Sequence, residues 1–187
     1  MLQVYRCMTT STAEATTPTS TAMPDIGLLI LRIGLGAAML QAGLLKASDF
    51  STTVGFMETG GWQPATFAAL MVTVTELLGG IGLLFGVLTP LAACAVIAAM
   101  LDAWAVNVSA DTVWANPFNA PFLIALGAVT LLFTGAGALS VDTRLFGRTA
   151  WSFKITVGLL LVAFIAAVAT WILLNGTNPI HFSAPTS

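Results

Sequence analysis

The sequence predicts an all-α fold, a polytopic bundle of transmembrane helices, and three observations predict it. Hydrophobic residues make up 57% of the chain and charged residues only 7%, whereas about a quarter of the residues in a soluble domain are charged. The apolar residues are gathered into long runs, and Gly, Pro and Asn punctuate the gaps between them. Each run is long enough to cross a hydrocarbon layer about 30 Å thick, which takes roughly 20 residues rising about 1.5 Å each.

Five runs meet this condition: Asp25 to Lys46, Ala65 to Val87, Pro90 to Ser109, Ala120 to Leu139 and Ile155 to Leu174. The first places Arg32, Gly36, Met39, Gly43 and Lys46 on one face, at spacings that follow the 3.6-residue turn. The second follows Gly60, Gly61 and Pro64, breakers that read as a loop, and carries Gly79, Gly80, Gly82 and Gly86 beside Glu76. Gly82 and Gly86 form a small-xxx-small pair, and small residues let membrane helices approach closely. Thr89 and Pro90 turn the second helix tightly into the third, which aligns Ala95, Ala98, Ala99 and Asp102 and holds Cys94 as a small apolar residue. Asn116 and Pro117 precede the fourth helix, and the polar stretch Ser140 to Lys154 precedes the fifth.

These elements divide the chain into a four-helix core over 25–145, a connector with a fifth helix over 146–174 and a short tail over 175–187. Residues 1–24 are rich in Thr, Ser and Ala without an apolar run, the composition of a disordered tail. Nothing upstream of Pro24 supplies the apolar centre of a secretory signal, so the tail is expected to be retained. With five spans, Arg6, Arg144, Arg148 and Lys154 fall on one side and Lys46 ends its helix on the other. The excess of cations on cytoplasmic loops then predicts a cell-membrane protein with a cytoplasmic amino terminus and an external carboxyl terminus. Trp62, Trp114 and Trp171 are expected at the outer interface and Trp151 at the inner one.

Three ionisable residues, Arg32, Glu76 and Asp102, lie inside predicted spans, where an unpaired central charge costs at least about 2.5–3.5 kcal/mol. They are expected to face inward as a polar cluster, with Arg32 within reach of Glu76. Lys46, at a helix end, reads as a side chain that extends to the interface. A net charge of −2 and the absence of a basic stripe exclude nucleic-acid binding. The two cysteines, Cys7 and Cys94, form no C-x-x-C pair, and His181 is the sole histidine. No metal, haem or dithiol centre is therefore readable, and no intrinsic cofactor is expected.

The run Leu31 to Lys46 resembles the first helix of the DoxX family, with Arg32, Gly36, Gly43 and Lys46 at matching places. Glu76, Gly79 and Gly80, followed by Gly86, Leu88 and Thr89, resemble the family's E-x-x-G-G to G-x-L-T pattern, and Gly135 to Asp142 resembles its closing segment. Many relatives have a His where this chain has Ala42, and often Thr-Arg where it has Thr89 and Pro90. The resemblance covers Ile26 to about Leu145. It implies a small integral membrane protein of a family named for a subunit linked to quinone-dependent thiosulfate oxidation.

The expectation is therefore a non-catalytic membrane subunit or anchor of a redox or oxidative-stress complex, in contact with lipid and with a redox-enzyme partner. The alternative is a quinone-interacting oxidoreductase subunit in which Arg32, Glu76 or Asp102 meets the head group. A small transporter has less support, because the spans show no internal inverted repeat. A homo-oligomer is compatible with the sequence.

Overall fold

The computed structural model describes residues 22–182. Among the described residues every regular element is helical: α1 (Ala22–Ser48), α2 (Phe50–Thr59), α3 (Ala65–Phe85), α4 (Thr89–Ser109), α5 (Ala120–Thr134), α6 (Val141–Phe146) and α7 (Phe153–Leu174). Four of them, α1, α3, α4 and α7, are long and apolar enough to cross a membrane. The fold is thus a helical membrane bundle. The expected tail over residues 1–21 lies outside the described residues, as do residues 183–187, and residues 22–24 already belong to α1.

Two boundaries differ from expectation for local reasons. The fourth predicted span, expected to reach Leu139, ends as α5 at Thr134, only 15 residues long. Gly135 and Gly137 take positive φ of 80° and 74°, outside the right-handed helical region, so the chain leaves the helix there and folds into loop and α6. A further helix, α2, occupies part of the stretch between the first two spans that reads as loop. Asp49 caps it, accepting hydrogen bonds from the Thr52 amide at 3.1 Å and the Thr52 hydroxyl at 2.7 Å. Ten residues with so few strong hydrophobes carry too weak a periodic signal to stand out between two membrane spans.

Helix α1 packs antiparallel along α3, α4 packs between α3 and α5, and α7 lies against α4. Close backbone approach makes this possible, because helices in lipid gain from van der Waals contact rather than from exclusion from water. A Cβ on Gly36 would stand 2.7 Å from the Leu84 nitrogen, and one on Gly80 would stand 2.7 Å from the Leu40 nitrogen. On the other face of α3, a Cβ on Gly79 would meet Val96 at 2.7 Å and one on Gly82 would meet Ala92 at 2.6 Å. Alternate glycines of α3 thus serve α1 and α4 separately.

Met39, Leu83, Val96, Ile97, Ala128 and Leu131 fill the centre. A second apolar cluster around Met57, Trp62, Ala69, Ala105 and Trp171 fills the end of the bundle nearest α2. Trp62 and Trp171 are buried there, edge to face with centroids 5.3 Å apart. The segment after α7 is also not a free tail: the Trp171 indole donates to the Thr177 carbonyl at 2.8 Å and the Val113 amide to the His181 carbonyl at 2.8 Å.

Candidate functional site

The register of α1 against α3 decides where the intramembrane charges go. Gly36 lies opposite Gly80 and Leu84, and Gly43 lies opposite Leu77. Continuing that antiparallel register carries Arg32 to the Gly86 end of α3 and Lys46 to Glu76. The expected Arg32–Glu76 pair is therefore not formed: Glu76 lies two turns, about 10 Å, along α3 from the Leu83 carbonyl that Arg32 contacts.

Arg32, 1% exposed, is saturated by backbone. Its Nε donates to the Leu83 carbonyl at 3.2 Å, one terminal nitrogen to Ala136 at 2.6 Å, and the other to Leu84 at 3.4 Å and Leu139 at 3.1 Å. The last carbonyls of a helix have no partner within it and carry the negative end of its dipole, so a cation is well placed there. Asp142 holds the opposite partner, accepting from the amides of Leu88 at 2.7 Å and Thr89 at 2.8 Å at the start of α4. Its own amide donates to the Gly86 carbonyl at 2.8 Å. Gly86, in left-handed conformation at φ 66°, leaves room for the guanidinium, which a Cβ would approach to 2.8 Å. Gly86 is thus a turn residue, and only Gly82 of the supposed small-xxx-small pair packs against another helix. Asp25 closes the same end by accepting from the Ala138 amide at 2.8 Å. This assembly clamps the α3–α4 turn and commits all three Arg32 nitrogens to backbone carbonyls.

The second polar centre is different. Lys46 donates to both Glu76 oxygens, at 2.9 Å and 2.7 Å. Glu76 is 3% exposed, and the Lys46 side chain keeps 29% of its surface accessible. Lys46 is therefore not an interfacial side chain but the counter-ion of the buried carboxylate. Sequence spacing points to both residues, since each faces inward on its helix, but the pairing depends on the register that Gly36, Gly43 and Gly80 impose.

The pair lies on the wall of a cavity of about 380 Å³. Its α3 wall includes Met71, Val72 and Thr75, its α4 wall Ala95, Ala98, Ala99 and Asp102, and its α7 wall Ala166 and Thr170. The alanines of α4 make the space, because side chains one carbon long leave a trough where α3 and α4 diverge beyond the Gly79 and Gly82 contacts. Asp102 faces this cavity and also borders a second, almost wholly apolar one of about 340 Å³ between α4 and α7. It takes part in no ion pair among the described residues. Of the three expected cluster residues, then, Glu76 and Asp102 share the cavity with Lys46, and Arg32 stands apart in the clamp.

The chemistry available is that of a small amphipathic site. An ammonium has three donors, two of which Glu76 takes, and Lys46 lines the cavity. A carboxyl group on the α4 wall adds a second hydrogen-bonding position, Thr75, Asn107 and Thr170 add neutral polar groups, and aliphatic, methionine and aromatic side chains form the rest. Among the described residues no group of His, Cys, Asp and Glu is arranged to hold a metal ion.

Residues 27–109 match the family model for DoxX. The matched stretch runs from α1 to the end of α4 and thus contains Arg32, Lys46, Glu76 and Asp102. No curated protein and no solved structure matches the chain.

Proposed function

We propose that this DoxX-domain membrane protein is the membrane subunit of a redox assembly and that it contributes an intramembrane site for a quinone-type head group. One observation carries the reading: a bidentate Lys46–Glu76 pair and the separate carboxyl of Asp102 border one mostly apolar cavity. Ligand sites are commonly apolar hollows with a few convergent polar groups, and a quinone is a flat apolar ring with carbonyls at its ends. Lys46 is the donor to one carbonyl, and Asp102 is placed to exchange a proton with the head group. Arg32, an equal candidate from sequence, is assigned to the clamp, because all three of its nitrogens donate to backbone carbonyls and it does not line the cavity.

The electrons for such a site are assigned to a partner enzyme. The protein is accordingly proposed to act with a redox enzyme docked at the membrane and not as an enzyme alone. Arg144, Arg148 and Lys154 follow α5 on one side of the bundle, and this excess of cations supports a cytoplasmic location for that side. Mass spectrometry of the protein purified gently in native lipid tests the proposal. It is expected to find stoichiometric quinone, reduced in Lys46→Met and Asp102→Asn, and a reproducible redox partner. Absence of quinone from folded native protein would overturn the quinone assignment, and absence of any partner would overturn the subunit assignment.

A further inference from the structure

The cavity has a direction of access. Its α3 and α7 walls belong to helices that pack on α4 but scarcely on each other. Met71 on α3 and Ala166 on α7 are both exposed on the outward sides of this gap, the surface that meets lipid. At the end nearest α2 the same two helices are tied together. Trp62 and Trp171 stack edge to face with centroids 5.3 Å apart. The Gln63 amide donates to the Leu174 carbonyl at 2.6 Å, and the Asn175 side-chain amide donates to the Gly60 carbonyl at 2.8 Å. At the opposite end, Gly79 against Val96, Gly82 against Ala92 and the Cys94 thiol against the Leu159 carbonyl at 3.2 Å close the space.

We infer that the cavity is loaded sideways from the bilayer through the gap between α3 and α7, while the Trp62–Trp171 tie seals it from the aqueous phase at that end. Its ligand is then a molecule dissolved in the membrane, with a polar head that reaches Lys46 and Asp102 and an apolar chain that trails into lipid. Water-soluble solutes are excluded as its cargo. Hydrogen bonds from backbone and amide groups suit a seal at this level, because apolar contact alone does not hold helices together in lipid. The inference rests on the cavity being a ligand site but not on the ligand being a quinone.

Collision accessibility of a nitroxide tests it without any ligand. In a Cys7→Ser/Cys94→Ala background, Ala98→Cys is spin-labelled inside the cavity and reconstituted in phosphatidylcholine vesicles. Oxygen, which concentrates in lipid, and a nickel chelate, which stays in water, serve as the two relaxants. The label is expected to collide with oxygen nearly as often as one at lipid-facing Leu161→Cys, and with nickel several-fold less often than one at Thr112→Cys in the α4–α5 loop. Adding Trp62→Ala with Asn175→Ala is expected to raise the nickel collisions several-fold and leave the oxygen collisions unchanged. Nickel access equal to that at Thr112→Cys with the tie intact would overturn lateral loading, as would shielding from both relaxants. No rise on breaking the tie would overturn the seal.

Discussion

A lysine and a glutamate that neutralise each other inside a bundle depend on each other more than either contributes alone. Breaking a buried pair from one side leaves the other charge without compensation, which costs about 3–5 kcal/mol, whereas replacing both with apolar residues is often neutral. Lys46→Met is therefore predicted to destabilise the protein far more than Lys46→Met combined with Glu76→Leu, as read by reversible unfolding in mixed micelles. Arg32 obeys a different rule, since it satisfies carbonyls and not a charge. Arg32→Leu removes four hydrogen bonds to carbonyls, a buried acceptor left without a partner costing about 1–3 kcal/mol, and Arg32→Lys recovers only part, because a point ammonium lacks the planar fork that spans them. Thermal unfolding is expected to rank native above Arg32→Lys above Arg32→Leu. At Asp49 the side-chain and backbone hydrogen bonds from Thr52 and the hydroxyl of Ser51 hold the carboxyl below the usual carboxylate range. Its contribution to the first turn of α2 is then complete above the ordinary aspartate pKa and lost as pH falls through the lower folded value. Amide exchange at Thr52, corrected for intrinsic rate, is expected to quicken in acid for the native protein but not for Asp49→Asn, whose amide caps without titrating.

Helices in this bundle are positioned by where their glycines are, and glycines of identical sequence status behave oppositely. A Cβ on Gly36 meets backbone atoms of α3, while one on Gly34 meets nothing within 4 Å. Gly36→Ala is predicted to push α1 from α3 and cost about 1–3 kcal/mol as an overpacked contact. Gly34→Ala is predicted to be neutral or to stabilise by up to about 1 kcal/mol through helix propensity. Unfolding of the two variants side by side checks both. The long helices are legible in the sequence because lipid demands an uninterrupted apolar run, and the ends of α3 and α4 follow from Gly86 and Pro90. Helix α2 and the early end of α5 are not legible in the same way. The first has too little hydrophobic periodicity, and the second turns on left-handed conformations at Gly135 and Gly137 that composition permits but does not require.

Across the whole molecule, the two ends of α1 divide the labour: Arg32 fastens the α3–α4 turn and Lys46 equips the cavity. The sequence shows that Arg32, Glu76 and Asp102 must find polar surroundings, since all three interrupt membrane spans. It does not show which meets which, because pairing is fixed by interhelix register, and one heptad of slip would exchange partners. Depth along each span favours Arg32 as the partner of Glu76 over Lys46, yet α1 ends at Ser48 level with the middle of α3, which brings Lys46 to the carboxylate. The motif residues separate by the same logic: Arg32, Gly86, Thr89 and Asp142 belong to the clamp, Lys46 and Glu76 to the cavity. The central claim, that this cavity receives a quinone-type head, is tested most directly by equilibrium binding of a short-chain quinone to the protein in lipid nanodiscs, native against Ala99→Phe, which fills the trough of α4 without touching a charge. The account predicts saturable binding at one site per chain in the native protein and its loss in Ala99→Phe. Binding to native protein no greater than partition into empty nanodiscs, or saturable binding undiminished by Ala99→Phe, would contradict it.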